Sequence, residues 1–314
     1  MKVFVAGATG ALGKQLVPRL VANSHEVVGM TRSAGKEKLV YELGATPVVA
    51  DALDPDQIAQ AVANADPDVI VHELTAIPGA LDMRHFDRDF ALTNRLRTEG
   101  TDHLLAAGRA VGVERFVAQS YAGWPFARTG PAVKTEDDAL DPTPAAAMRE
   151  THAGIRHVEE AVMDATWTTG IVLRYGGFYG PGTNMSADGE IAEMVRKRRF
   201  PVVGDGGGIW SFVHIADAAE ATVAAIERGE RGIYNIVDDE PAAVAEWLPA
   251  VAQAFGAKPP WHVPRVIGRL LAGEAATVMM TEVRGASNAK AKQVLGWEPR
   301  HRSWREGFTE AAAA

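Results

Sequence analysis

Short β-branched runs alternate along this chain with longer stretches whose apolar residues return every three or four positions. Lys2 to Ala6 (KVFVA) reads as a buried strand closed by a glycine-rich turn, after which Leu12, Leu16 and Leu20 mark one face of a helix. Pro18 lies inside that helix and is expected to bend it or to cost it a hydrogen bond. Glu26–Met30, Pro47–Ala50, Val69–His72 and Arg115–Ala118 have strand character too, as do Ile171–Arg174 and Gly232–Val237. Helical or turn segments separate them. This alternation predicts an α/β fold, a doubly wound parallel sheet whose ligand sits where the strand order reverses. Residues 1–174 are assigned to the sheet domain, with 210–237 returning to it. Residues 175–209 and 238–314 are assigned to a smaller lobe that binds substrate, and the terminal alanines to a frayed tail.

Composition narrows the partners and the chemistry. At 314 residues and 47% hydrophobic, the chain can bury a sizeable core. It has no cysteine, which removes disulfides, thiolate metal sites and a cysteine nucleophile. Acidic residues outnumber basic ones by 40 to 32, so nothing favours a nucleic-acid partner. The first strand begins at Lys2, leaving no room for a signal segment, and no apolar run approaches the roughly 18 residues of a membrane span. A soluble, cytoplasmic protein is expected.

The turn after the first strand reads Gly7-Ala8-Thr9-Gly10-Ala11-Leu12-Gly13. In such a loop the first glycine permits the tight turn and the second lets the backbone approach a pyrophosphate. The third lets helix and sheet pack closely, and the helix N-terminus faces the anion. With its strand and helix in place, the pattern points to a dinucleotide. The spacing Gly-x-x-Gly-x-x-Gly resembles that of the extended and atypical short-chain dehydrogenase/reductases, the epimerase/dehydratase group. Further stretches resemble the same group in chain order: Val49–Asp54, Glu99-Gly100-Thr101, Arg115–Val117, Arg174 through Tyr179–Gly182, Trp210–Asp217, and Leu295–Pro299 with Trp304–Gly307. The resemblance implies a Rossmann-type sheet, a nicotinamide cofactor and a small-molecule substrate, and it admits a homodimer.

The second strand ends Thr31-Arg32-Ser33, without the carboxylate that usually accepts from an NAD ribose. Arg32 can pair with a 2′-phosphate and Thr31 or Ser33 can donate to it, which favours NADP over NAD. The resemblance puts Asp51 and Ala52 at the adenine, although Asp51 can equally cap the next turn. It puts Leu74, Thr75 and Ala76 along the ribose and nicotinamide.

Relatives in this superfamily protonate a carbonyl with a tyrosine whose pKa is lowered by a lysine four residues on. Four residues after the five tyrosines come Ala45, Pro125, Tyr179, Thr183 and Asp238, so the pair is absent. Two registers of the helix expected over Ala145–Asp164 fill its slots with Thr151 and Ile155, or with His152 and Arg156. His152 is then either an acid or an ordinary helix-boundary histidine. The substrate-orienting hydroxyl of the family falls at Ser120 or Tyr121, and Tyr121 is either a donor to substrate or a packed phenol. Trp124, Phe178, Tyr179 and Trp210 either shape an apolar substrate pocket or pack the lobe. Arg196–Arg199 is either a phosphate contact or a solvated helix end. No Gly-x-Ser-x-Gly elbow occurs, and no histidine spacing suggests a metal. The leading expectation is an NADP-dependent oxidoreductase acting on a small carbonyl, alcohol or activated double bond. A nucleotide-sugar epimerase or dehydratase and a non-catalytic NADP-binding redox sensor are the alternatives.

Overall fold

In the computed structural model, which describes residues 1–79 and 81–313, the strand-like runs assemble into a seven-stranded parallel sheet. Its strands are β1 (Lys2–Ala6), β2 (Glu26–Thr31), β3 (Thr46–Val49), β4 (Val69–His72), β5 (Arg115–Tyr121), β6 (Thr169–Tyr175) and β7 (Gly232–Ile236). They lie in the order β7-β6-β5-β4-β1-β2-β3, so the chain reverses direction across the sheet between β1 and β4. That reversal opens the crevice where sheets of this kind bind ligands.

Side-chain alternation divides the core into two layers. Val3 and Val5 face α1 (Ala11–Ala22) and pack with Leu12, Leu16 and Leu20. Phe4 and Ala6 face the opposite layer and pack with Val62 of α2 (Pro55–Ala65), Leu104 of α3 (Thr101–Val111) and Val158 of α4 (Arg149–Asp164). Helix α1 runs through Pro18, which has no N–H to donate, so of the two expected outcomes the helix takes the lost hydrogen bond. Pro18 and Lys14, whose carbonyl loses its donor, are both exposed. Strand β5 extends to Tyr121, three residues beyond its apolar run, because Gln119, Ser120 and Tyr121 pair in register with Leu173, Arg174 and Tyr175.

After β6 the chain forms a lobe over one end of the sheet. Helix α5 (Ile215–Arg228) returns to the sheet core, whereas α6 (Val244–Ala254) and α8 (Trp304–Ala313) contribute to a separate aromatic core. Tyr179, Phe212, Trp247, Trp304 and Phe308 form that core. Between them, α7 (Arg265–Thr281) is broken at Gly273, whose φ of 88° no other residue type adopts easily. Ala291, Leu295 and Trp297, in the stretch assigned by sequence to the lobe, pack into the core of the sheet itself. No helix among the described residues is long and apolar enough to cross a membrane.

Candidate active site

The crevice begins at the first βα turn. Gly7 has φ 104°, and a Cβ there would stand 2.8 Å from the Glu73 carbonyl oxygen. A Cβ on Gly13 would stand 2.3 Å from the Gly7 oxygen. Gly10 precedes α1 in extended conformation, and no side chain caps the helix, so its first-turn N–H groups are left for an anion. Thr9 and Ala11 are half-buried beside it, and Leu12 is sealed beneath in the sheet core. A cradle that a Cβ would fill, under an uncapped helix, fits a dinucleotide pyrophosphate.

Beyond β2, Thr31 is buried and its Oγ1 accepts from the Ser33 amide at 3.3 Å. Arg32 and Ser33 are exposed, and among the described residues the Arg32 guanidinium has no carboxylate partner. Asp51 holds its own turn by accepting from the Leu53 amide at 3.0 Å. Ala52 is buried, and His103 Nδ1 bonds its carbonyl at 2.9 Å.

The end of β4 carries two buried groups with displaced ionisation. His72 Nδ1 accepts from the Leu74 amide, which leaves the ring proton on Nε2, within 3.2 Å of the Leu96 carbonyl and 3.0 Å of Thr101 Oγ1. Burial holds its pKa down at about 4, so the ring is neutral. Glu73 lies against Gly7, and one of its oxygens accepts from the Tyr175 hydroxyl at 3.1 Å while the other has no partner. Burial pushes this carboxyl up to about 8. Tyr175 in turn shares a 2.7 Å hydrogen bond with Thr222 on α5. Leu74 and Ala76 follow half-buried and Thr75 exposed, and the Ala76 amide donates to Thr93 Oγ1 at 2.9 Å.

The two hydroxyls at the end of β5 have different environments. Ser120 is buried and donates to Glu159 at 2.6 Å. Glu159 is also held by a bidentate pair from Arg174, both bonds 2.7 Å. Tyr121 is half-buried and stands 5.7 Å from the Trp124 ring. Burial pushes its phenol up to about 12, against the pull of the nearby Arg97. On α4, Thr151 is fully buried, accepting from Asn94 at 3.1 Å and donating to Asp87 at 2.7 Å. His152 is buried with Nε2 3.0 Å from the Pro125 carbonyl. The first residue of each candidate register of α4 is therefore buried and hydrogen-bonded within the fold.

The four aromatic residues proposed from sequence to shape a pocket fall in three places. Trp124 and Trp210 line a narrow slot with Tyr121, Met279 and Val283, and Trp210 Nε1 donates to the Met279 carbonyl at 2.8 Å. Phe178 packs on Tyr175 at 5.3 Å against the sheet core. Tyr179 is fully buried in the lobe, 4.9 Å from Phe308. Sequence reasoning missed Glu73, the Glu159–Arg174 pair and Arg97. It also missed a grouping of His214, Asp217 and His301, whose ligand-type atoms lie within 4.8 Å of one another. There the two rings stack at 3.8 Å, His214 Nδ1 accepts from the Ala216 amide and His301 Nδ1 bonds Asp217 at 2.8 Å.

A reversed parallel sheet with an anion cradle at its first turn defines a nucleotide-dependent oxidoreductase fold. The model of the NAD dependent epimerase/dehydratase family matches residues 3–237, and the chain belongs to that family, within the NAD(P)-dependent short-chain dehydrogenase/reductase superfamily. It is 43% identical to a 3-diazoavenalumate denitrifying reductase from Streptomyces sp, over 98% of this chain and 99% of the relative. A UDP-glucose 4-epimerase from Mycolicibacterium smegmatis is 26% identical over 95% of this chain and 94% of its own length. Among solved structures, a UDP-glucose 4-epimerase from Thermotoga maritima with UDP-glucose superimposes with a TM-score of 0.78 at 22% identity, over 100% of this chain and 98% of that one. A Thermus thermophilus UDP-glucose 4-epimerase complexed with NAD gives 0.74 at 24% identity, over 100% and 98%.

Proposed function

We propose that the protein is an NADPH-dependent reductase that replaces the diazo group of an aromatic substrate with hydrogen, releasing dinitrogen. The observation that supports this reading is the makeup of α4: Thr151 or His152, depending on the register, falls where the family resemblance expects a proton-donating tyrosine, and both are buried and hydrogen-bonded within the fold. When bound, reduced nicotinamide would supply a hydride; displacement of dinitrogen from an aryl diazonium by hydride would form one C–H bond, break the C–N bond with its electron pair leaving in the gas, and take up no proton. A site without the usual acid is adequate for that reaction. Carbonyl reduction and sugar epimerisation both need a proton moved at oxygen.

The chain's own residues divide the remaining work. Gly7, Gly10 and Gly13 admit the pyrophosphate, and the first turn of α1 binds it. Arg32 and Ser33 take the 2′-phosphate. Leu74, Thr75 and Ala76 line the nicotinamide side. Tyr121, Trp124 and Trp210 give the substrate side of the crevice an aromatic wall. The 43% identical relative, a 3-diazoavenalumate denitrifying reductase, supports a diazo-bearing substrate class.

Two measurements test the reading. NADPH consumption with an aryl diazonium panel should exceed that with a panel of ketones, aldehydes and UDP-sugars; turnover of carbonyls alone overturns the reaction. Arg32→Ala should weaken NADPH binding about tenfold and leave NADH nearly unchanged. An unaltered ratio of the two affinities overturns the NADP assignment.

A further inference from the structure

We infer that the first half of α7, with the basic turn packed beside it, is a surface by which the protein docks on an anionic membrane. The surface lies outside the residues assigned to the crevice. It includes the Arg196–Arg199 run, to which the proposed reduction gives no role.

Between Arg265 and Ala272, α7 turns an apolar stripe to solvent. Val266, Leu270 and Leu271 are 80%, 74% and 66% exposed, and Ile267 between them is exposed too. Val266 with Leu270 and Ile267 with Leu271 are each four residues apart, so the four side chains share one face. The opposite face is the packed one. Gly268 is buried on Val203, where an added Cβ would stand 2.4 Å from Cγ1. Trp261, just before the helix, is also exposed. Single exposed apolar residues are ordinary, but a run of this density marks a contact surface.

Charge selects the occupant. Two short strands, Val202–Val203 and His262–Val263, pair in parallel and bring the Arg196–Arg199 turn alongside the approach to α7. The Val202 amide donates to the Trp261 carbonyl at 2.9 Å, and Arg198 Nε donates to the Pro259 carbonyl at 3.0 Å. The Arg198 guanidinium stacks 3.7 Å over the Trp261 ring. The two segments so joined, 196–204 and 258–272, hold seven basic residues and no acidic one, in a chain where acids exceed bases by 40 to 32. Lys197, Arg265 and Arg269 pair with nearby carboxylates. The other four have no carboxylate partner among the described residues. A second copy of this chain fits poorly, since about 12 Å of helix offers far less than the roughly 800 Å² per partner of a stable interface. A bilayer sets no such minimum. At its boundary the aliphatic side chains enter the acyl margin, tryptophan takes the headgroup level and the cations meet lipid phosphates.

Flotation with lipid vesicles tests the surface. The full chain should bind vesicles of phosphatidylglycerol and phosphatidylcholine about tenfold better than vesicles of phosphatidylcholine alone, and the difference should shrink as salt rises. Leu270→Gln combined with Leu271→Gln should keep the melting temperature and cut binding about tenfold. Arg199→Gln combined with Lys258→Gln should remove most of the preference for anionic vesicles. Trp261 emission, read as the difference between the unaltered chain and Trp261→Phe, should be quenched by brominated acyl chains. Equal binding to both vesicle types, binding unaffected by the leucine substitutions, or a fall in melting temperature caused by them would each overturn the assignment. Self-association in solution that those substitutions abolish would give the stripe to a second copy instead. Binding to an RNA homopolymer as tight as to anionic vesicles would also overturn it, by making the surface a general polyanion site.

Discussion

At the scale of single residues, the site depends on charge states imposed by burial. Glu73 is the clearest case. Its pKa is raised from 4.5 to about 8, so the folded chain keeps a proton that the unfolded chain releases above about 4.5. Stability contributed by this group is complete below pH 4.5 and is lost as pH rises to about 8, by at most about 1.4 kcal/mol per pH unit. Glu73→Gln keeps an acceptor for Tyr175 and should flatten that slope. Urea unfolding at pH 6 and pH 8 would read it, and an unchanged slope would mean that Glu73 is ionised in the fold. Asp238, raised by burial to about 8 as well, should keep its own share of the slope. The glycines of the phosphate loop were legible because a backbone demand at fixed spacing leaves a mark in sequence. Arg97, buried in the π-helical turn Leu96–Gly100, was not. Arg95, two residues away, is exposed and pairs with Glu99 at 2.7 Å. Nothing in Asn94-Arg95-Leu96-Arg97 distinguishes the two, and the π turn shifts the helical phase that would have separated them.

Among the elements, the buried Ser120–Glu159–Arg174 cluster ties β5, α4 and β6 together behind the slot. Glu159→Gln leaves Arg174 without its counter-charge and should cost about 3–5 kcal/mol in chemical unfolding. A loss under about 1 kcal/mol would show that the pair is dispensable. The strands and their parallel order could be read from the alternation of apolar runs with helical periods. The last three residues of β5 could not, because Gln119, Ser120 and Tyr121 owe their strand conformation to pairing with β6 rather than to their own hydrophobicity. That extension matters, since it carries Ser120 inward to Glu159 and Tyr121 to the slot. Similarly, α1 carries Pro18 on its exposed face, four residues after the equally exposed Lys14.

For the molecule as a whole, sequence marked the glycine turn that opens onto the crevice and the absence of a Tyr-x-x-x-Lys pair, and left the replacement open. The fold explains why: the groups around the slot come from the end of β5 and the loop after it, the segment before α5 and the end of α7. No local spacing unites elements so far apart. The central claim is that the family's fold here carries hydride chemistry needing no protein acid. The most direct measurement follows the hydrogen. Reduction of an aryl diazonium with C4-deuterated NADPH in ordinary water should place deuterium at the ring carbon that loses dinitrogen, and unlabelled NADPH in D₂O should place none there. Deuterium entering that carbon from D₂O, or dinitrogen released without NADPH consumption, would contradict the account.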